Sequence, residues 1–235
     1  MDSFVGIMSS LDWSPLWISL KTGIVATILC FFLGIFAARA VMNMRSPLKA
    51  VVDGFLTMPL VLPPTVAGFF LLFLFSQRRP LGIFLWDTYG IKVVQSFLGC
   101  VIAATVIAFP LMYRNARAAF ELIDINLIYA GRTLGMSENK IFFKVVIPTA
   151  GPGLISGTIL TFARALGEYG ATSMLAGNIP GKTATISQRI ALVMQDQDYV
   201  TGGIWVLIVI IIAFAAIVLM NLAAGKTQKN VKRWG

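Results

Sequence analysis

Arg164 and Glu168 stand four residues apart inside a long apolar run. That spacing puts an acid and a base on one face of a helix, where they can pair. A charge at such depth costs about 2.5–3.5 kcal/mol on insertion scales if turned to lipid, so the pair must face other helices or a polar cavity. Two roles remain open for it: Arg164 adds positive potential to an anion path, or the two close into an ion pair that only orients helices. Pro63 and Pro64 remove backbone donors within another apolar run. Such a break survives in a membrane only where protein or water satisfies the freed carbonyls. It is either a kinked, path-lining segment or a kink without contact to a solute. Gly153 and Gly157 form a small-xxx-small pair better suited to close helix packing than to a substrate role.

Other chemistry is absent from the sequence. There is no histidine, which removes histidine-based triads, HExxH metal sites and histidine proton relays together. Cys30 and Cys100 both fall in apolar runs and read as packing residues, so no disulfide framework, CxxC metal site or cofactor site is expected. Gly181-Lys182-Thr183 ends like a phosphate-binding loop, but the position five before Gly181 is Ala176 and no buried strand precedes it. The chain therefore carries no nucleotide site and is not expected to be an enzyme.

The elements that must position these residues are spanning helices. Of 235 residues, 57% are hydrophobic and only 12% charged, against about a quarter charged in soluble domains. Five apolar runs are long enough to cross a bilayer, at about Leu16 to Ala38, Val51 to Phe75, Val93 to Tyr113, Ile147 to Ala176 and Gly203 to Ala223. The fourth has length to spare for tilting. The expectation is one all-α membrane domain over residues 1–235. The net charge of +9 is carried by short loops and a tail, which speaks for membrane topology rather than nucleic acid as partner. Twelve lysines and arginines fall in one set of loops (Arg39, Arg45, Lys49, Arg114, Arg117, Arg132, Lys140, Lys144, Lys226, Lys229, Lys232, Arg233) and five in the other. Basic residues are retained inside, so the N-terminus is expected outside and the C-terminus in the cytoplasm. Asp2 and Asp12, with no lysine or arginine before residue 16, argue against a cleaved signal peptide, so the first run is expected to stay as an anchor.

The segment of about 124–148 then faces the cytoplasm. Asp124 or Asn126 can cap a short helix that Gly135 ends, and Ser137 starts a second in which Ile141, Phe142 and Val145 share a face before Pro148. Two short exposed helices make either a docking platform or a plain connector.

The spacing Ala130-Gly131-Arg132-Thr133-Leu134-Gly135, nine residues, Val145-Val146-Ile147-Pro148 resembles the EAA motif of bacterial ATP-binding-cassette importer permeases. Its glycine and proline match, while Tyr129 stands in place of the motif's glutamate. Met58-Pro59-Leu60-Val61-Leu62-Pro63-Pro64-Thr65-Val66-Ala67-Gly68, Phe162-Ala163-Arg164-Ala165-Leu166-Gly167-Glu168-Tyr169-Gly170-Ala171 and Ala176-Gly177-Asn178-Ile179-Pro180-Gly181-Lys182-Thr183 extend the likeness over nearly the whole chain. Together they are similar to the molybdate branch of that family, whose relatives carry sulfate, thiosulfate or tungstate.

The resemblance implies the type I importer fold with about five transmembrane helices, set in the bacterial inner (plasma) membrane. It implies a homodimer of permease subunits, two cytoplasmic ATPase subunits and an extracytoplasmic oxyanion-binding protein, with substrate delivered near the Gly181 loop. Ala130, Gly131, Leu134 and Gly135 would then contact the ATPase, Arg132 would fix the rim, and Val145, Ile147 and Pro148 would complete the loop. Pro63, Pro64, Arg164, Glu168 and Gly170 would line the path or its gate. An ion-coupled carrier is the competing class, but five spans do not divide into two equal inverted halves and Glu168 is the only acidic residue deep in a span.

Overall fold

Residues 11–231 are described by a computed structural model, and all their regular structure is helical. Asp2, Lys232 and Arg233 lie outside the described residues. In chain order the helices are α1 (Ser14–Met42), α2 (Ser46–Thr57), α3 (Pro64–Phe75), α4 (Pro80–Tyr89), α5 (Phe97–Glu121), α6 (Ile125–Thr133), α7 (Glu138–Ile141), α8 (Ile147–Thr149), α9 (Gly151–Leu166), α10 (Gly170–Ala176), α11 (Ile186–Gln195) and α12 (Tyr199–Val231). A 3-10 turn, Met58–Leu60, extends α2, and a π-helical turn, Phe142–Val146, joins α7 to α8.

The first and fifth apolar runs form continuous helices long enough to cross a bilayer, and so does the third, displaced along the chain. Its helix starts at Phe97 rather than Val93, because Gln95 has φ +56° and Ser96 caps the helix through Gly99 N. It then runs two turns past Tyr113 to Glu121.

The second and fourth runs are not single continuous helices but bent pairs, each a broken span or a re-entrant loop, which gives three to five spans among the described residues. Ser46–Leu60 and Pro64–Phe75 meet at 106°, and Glu138–Thr149 and Gly151–Leu166 at 71°. The fourth run breaks again after Leu166, and α10 starts at Gly170. At the first bend the cause is local: Pro59, Pro63 and Pro64 cannot donate, and Pro63 adopts ψ 134°, outside the helical region. The segments between the third and fourth, and fourth and fifth, runs also carry helices, and α11, in the latter, is started by a Thr185/Gln188 capping box.

α5 is the central post. α1 and α9 pack on it through small residues, with Ala26, Cys30 and Ala38 of α1 and Ala104, Ala108 and Ala116 of α5 wholly buried. Close backbone approach is what binds helices in lipid, where apolar burial alone gives no preference for protein over acyl chain. A Cβ on Gly34 would lie 2.8 Å from Met112 Cγ; on Gly153, 2.6 Å from Ala119 Cβ; and on Gly157, 2.7 Å from Asn115 Cβ. Gly153 and Gly157 thus form a packing seam between α9 and α5.

Contacts define two ends of the bundle. At one, the loop end, Arg39 at the close of α1 donates to Asn139 Oδ1 (2.7 Å), beside the C-terminus of α5 and helices α6 to α8. At the other, Ser19 Oγ accepts from Ile186 N (2.8 Å), Gln188 Nε2 donates to Gly177 O (2.9 Å) and Trp13 meets Trp205 edge to face. Thr183, Thr185, Gln188 and Ser19 are all buried there, so the Gly177–Thr185 turn is held from within while Lys182 stays exposed.

Gly34→Leu is expected to lower stability by about 1–3 kcal/mol through overpacking. Gly203→Leu, where a Cβ meets nothing within 4 Å, is the matched control. Thermal unfolding in detergent reads both, and equal midpoints would rule out the α1–α5 seam.

Candidate functional site

The two broken runs meet inside the bundle. α3 begins with Pro64 at its first position, where a missing N–H costs nothing and the fixed φ suits a helix. α3 lies along α10: a Cβ on Gly68 would stand 2.7 Å from Ala171 Cα, and one on Gly170 would stand 3.0 Å from Pro64 Cβ and 3.2 Å from Thr65 N. Pro64 and Gly170 are therefore in contact, with Pro63 exposed beside them. α10 ends against the start of α5, where Gln95 N donates to Leu175 O (3.1 Å) and Gly99 faces Ala176.

Glu168 sits in the three-residue gap between α9 and α10 and is 2% exposed. Its Oε2 accepts from Arg164 Nη1 (2.7 Å) and its Oε1 from Ala171 N (2.8 Å). The carboxylate thus closes the pair read from the i, i+4 spacing and also takes a free donor at the start of α10, where the helix dipole favours negative charge. The Arg164 side chain is one-third exposed (32%) and spends one N–H on Glu168. Among the described residues it has no other hydrogen-bonding partner in the protein, so part of the guanidinium remains open at the break.

At the loop end, Asp124 Oδ1 caps α6 by accepting from Asn126 N (2.9 Å), and Ser137 caps α7 through Lys140 N. Gly135 takes φ +71°, with Gly135 N bonded to Arg132 O and Met136 N to Gly131 O, the double bond pattern that ends a helix on a left-handed glycine. Arg132 Nε donates to Glu138 Oε1 (2.7 Å), which ties α6 to α7 and holds the Glu138 carboxyl below its ordinary pKa. Gly131 is turned inward: a Cβ there would stand 3.0 Å from Ile141 Cγ1. Ala130, Gly135 and Pro148 are exposed, Val145 and Ile147 are half-buried, and Leu134 is 80% exposed.

Three features of this end were missed in the sequence. Leu122, 87% exposed, adds to the apolar surface of Leu134. Arg39 lies 4.1 Å above the Phe142 ring, so α1 grips the loop. A charged cluster joins α2 to α5: Tyr113 Oη donates to Asp53 Oδ1 (2.7 Å), Arg117 pairs with the same oxygen, Arg117 Nε donates to Glu121 Oε1 (2.8 Å), and Lys49 Nζ is 3.7 Å from Glu121. Only the Arg117 and Glu121 spacing signalled it locally. Asp53, inside the second apolar run, is thus a second ion-paired acid beside Glu168.

Residues 31–230 match the family described as binding-protein-dependent transport system inner membrane component. The chain belongs to that family. It is 40% identical over 214 residues to the molybdenum transport system permease protein ModB of Escherichia coli K12, covering 91% of this chain and 93% of that protein. It is 36% identical over 176 residues to ModB of Haemophilus influenzae, covering 75% and 77%. Its fold is similar to a subunit in an inward-facing structure of the MetNI methionine ABC transporter, with TM-score 0.69 at 17% identity over 91% of this chain and 94% of that one.

In this family member Glu168→Gln should weaken the helix break more than the double variant Arg164→Gln, Glu168→Gln. The single change strands the arginine, whereas the double removes both charges. Breaking a buried pair from one side costs about 3–5 kcal/mol, here reduced to about 1–3 kcal/mol because Arg164 reaches polar surroundings. Thermal midpoints in detergent check this; a double variant less stable than the single would show that the pair does not hold the break.

Proposed function

We propose that this chain is the membrane-spanning permease subunit of an ATP-driven importer that carries molybdate into the cytoplasm. The observation that carries the reading is the 40% identity to a molybdenum permease over nine-tenths of the chain, joined to the family match. The N-terminus lies outside and the C-terminus inside a bacterial plasma membrane, in keeping with the twelve-to-five bias of basic residues.

A dianion entering a negative-inside cell works against about 2.3 kcal/mol per charge per 100 mV, or roughly 4.6 kcal/mol, before any gradient is added. A passive pore would lose it. The energy comes from two ATPase subunits docked at the 124–148 loop of each of two permease copies, with an outer binding protein delivering the anion. Exposed Leu134, Ala130 and Gly135 dock in a groove of the ATPase, Arg132 and Gly131 keep the two loop helices rigid, and Val145, Ile147 and Pro148 pass the displacement into α9. Pro63, Pro64 and Gly170 form the gate with Glu168, and the open part of Arg164 lends positive potential to the path. Closing of the ATPase pair rocks the helices from inward to outward access, and hydrolysis resets them.

Gly135 is a poor place to test docking, since its φ of +71° strains any other residue. Leu134→Glu is better. It should leave the fold within about 0.5 kcal/mol of wild type, as surface changes do. It should also abolish co-purification of a nucleotide-binding partner; retained binding and transport would remove the loop from the interface. The function itself is tested by uptake into proteoliposomes holding permease, ATPase and binding protein. ATP-dependent molybdate uptake is expected. Preference for sulfate, thiosulfate or tungstate would move the chain within its family, and uptake by the permease alone under an ion gradient would make it a secondary carrier.

A further inference from the structure

α2 is joined to the rest of the chain unlike any long helix around it. None of its residues is buried, and Leu48, Val51 and Phe55 are each more than half exposed. Val52 and Leu56, half-buried, pack at the margin of the α1–α5 core, and the Met58–Leu60 turn that extends α2 also lies on α5. Its firm attachment is polar: Asp53 accepts from Tyr113 and Arg117, and Lys49, one turn earlier, reaches Glu121. These partners fall on three successive turns of α5.

The two ends of this attachment are placed to transmit movement. Tyr113 is wholly buried, so its hydroxyl is a fixed point on the central post. Glu121 is the last residue of α5, and Asp124, three residues on, caps α6. Displacement of α6 therefore bears directly on the turn that holds α2. At its far end α2 passes into the Met58–Leu60 turn and reaches Pro64 four residues after Leu60, with Pro59 and Pro63 limiting the freedom of the stretch between. Pro64 touches Gly170, next to the Glu168 break.

We infer that Asp53, held by Tyr113 and Arg117, is a positioning residue through which α2 carries displacement of the α6–α7 loop to the Pro64–Gly170 contact. The inference rests on the reading of this chain as a permease driven by a partner ATPase. A carboxylate shared by two donors tolerates a change of angle between helices, whereas an interlocked seam such as Gly153 and Gly157 on α5 has only discrete arrangements. α2 can then turn on α5 more freely than α1 and α9, whose seams keep their seating on the post.

The test uses the reconstituted complex of permease, ATPase and binding protein, reading ATP hydrolysis and molybdate uptake together. Asp53→Asn should keep ATPase binding and leave hydrolysis within about twofold, while uptake per ATP falls at least about tenfold, the scale of a lost charged hydrogen bond. Tyr113→Phe, which removes one hydroxyl and spares the fold, should lower the same ratio less. Asp53→Glu should retain most of the coupling. A short bismaleimide tie between Lys49→Cys and Glu121→Cys in the Asp53→Asn background should restore it, because the covalent link replaces the ionic one. Unchanged uptake per ATP in both Asp53→Asn and Tyr113→Phe, or uptake and hydrolysis falling in step, would overturn the inference while wild-type import left the permease reading intact. A wild-type complex without ATP-driven import would instead remove that reading.

Discussion

Within a bilayer every backbone N–H and C=O needs a partner from the protein, because the hydrocarbon offers none. A helix that stops inside the membrane must therefore bring its own substitutes. At the α9–α10 break the substitute is Glu168: Gly167 N and Glu168 N turn back to carbonyls of α9, and the freed Ala171 N goes to the Glu168 carboxylate. That carboxylate would be costly to bury alone, and Arg164 neutralises it from the preceding turn. At the α2–α3 break the problem is met differently, since Pro63 and Pro64 have no N–H to satisfy, and Pro63 O takes Val66 N and Ala67 N. One break adds an acceptor and the other removes donors. With both solved, α3 and α10 can lie together inside the bundle as short helices.

What could be read from the sequence follows the range of each interaction. Asp124, Ser137 and Gly135 work through residues two to five positions away, so the loop helices and their ends were legible. The same holds for Arg164 and Glu168 as a pair. The bends were only half legible. Hydropathy measures how apolar a run is and says nothing of its direction, so two apolar pieces meeting at 106° read as one straight helix. Glu168 as an acceptor for α10 was hidden for the same reason, since its role exists only once the helix is known to stop. The contact of Pro64 with Gly170, and of Asp53 with Tyr113 and Arg117, joins residues remote in sequence, and no spacing rule reaches them.

The loop end shows how rigidity is divided. Arg132 bound to Glu138 and Gly131 packed on Ile141 make α6 and α7 one body, and Arg39 over Phe142 fastens that body to α1. An exposed ion pair contributes little stability. Its worth here is geometric: it removes a hinge. The apolar Leu122 and Leu134 left outside are then presented by a surface that cannot fold away, as a docking face requires.

Seams of small residues and joints of charge do different mechanical work. Where α1 and α9 meet α5, backbones approach so closely that a single added methyl group would collide, and such contacts resist sliding. Where α2 meets α5 there is no such seam: half-buried Val52 and Leu56 pack at the margin, and the fixed contacts are the Asp53 carboxylate among its donors and Lys49 on Glu121. A bundle made wholly of seams would be stable and could not reverse its access; one held wholly by charge would have no fixed post against which anything could move. The distribution in this chain places the seams around α5 and the charged joint on the helix that leads to the α2–α3 break. On the permease reading proposed for this chain, displacement applied at the loop end is borne by the part of the structure able to turn and carried toward Gly170, where the backbone has no side chain to obstruct Pro64.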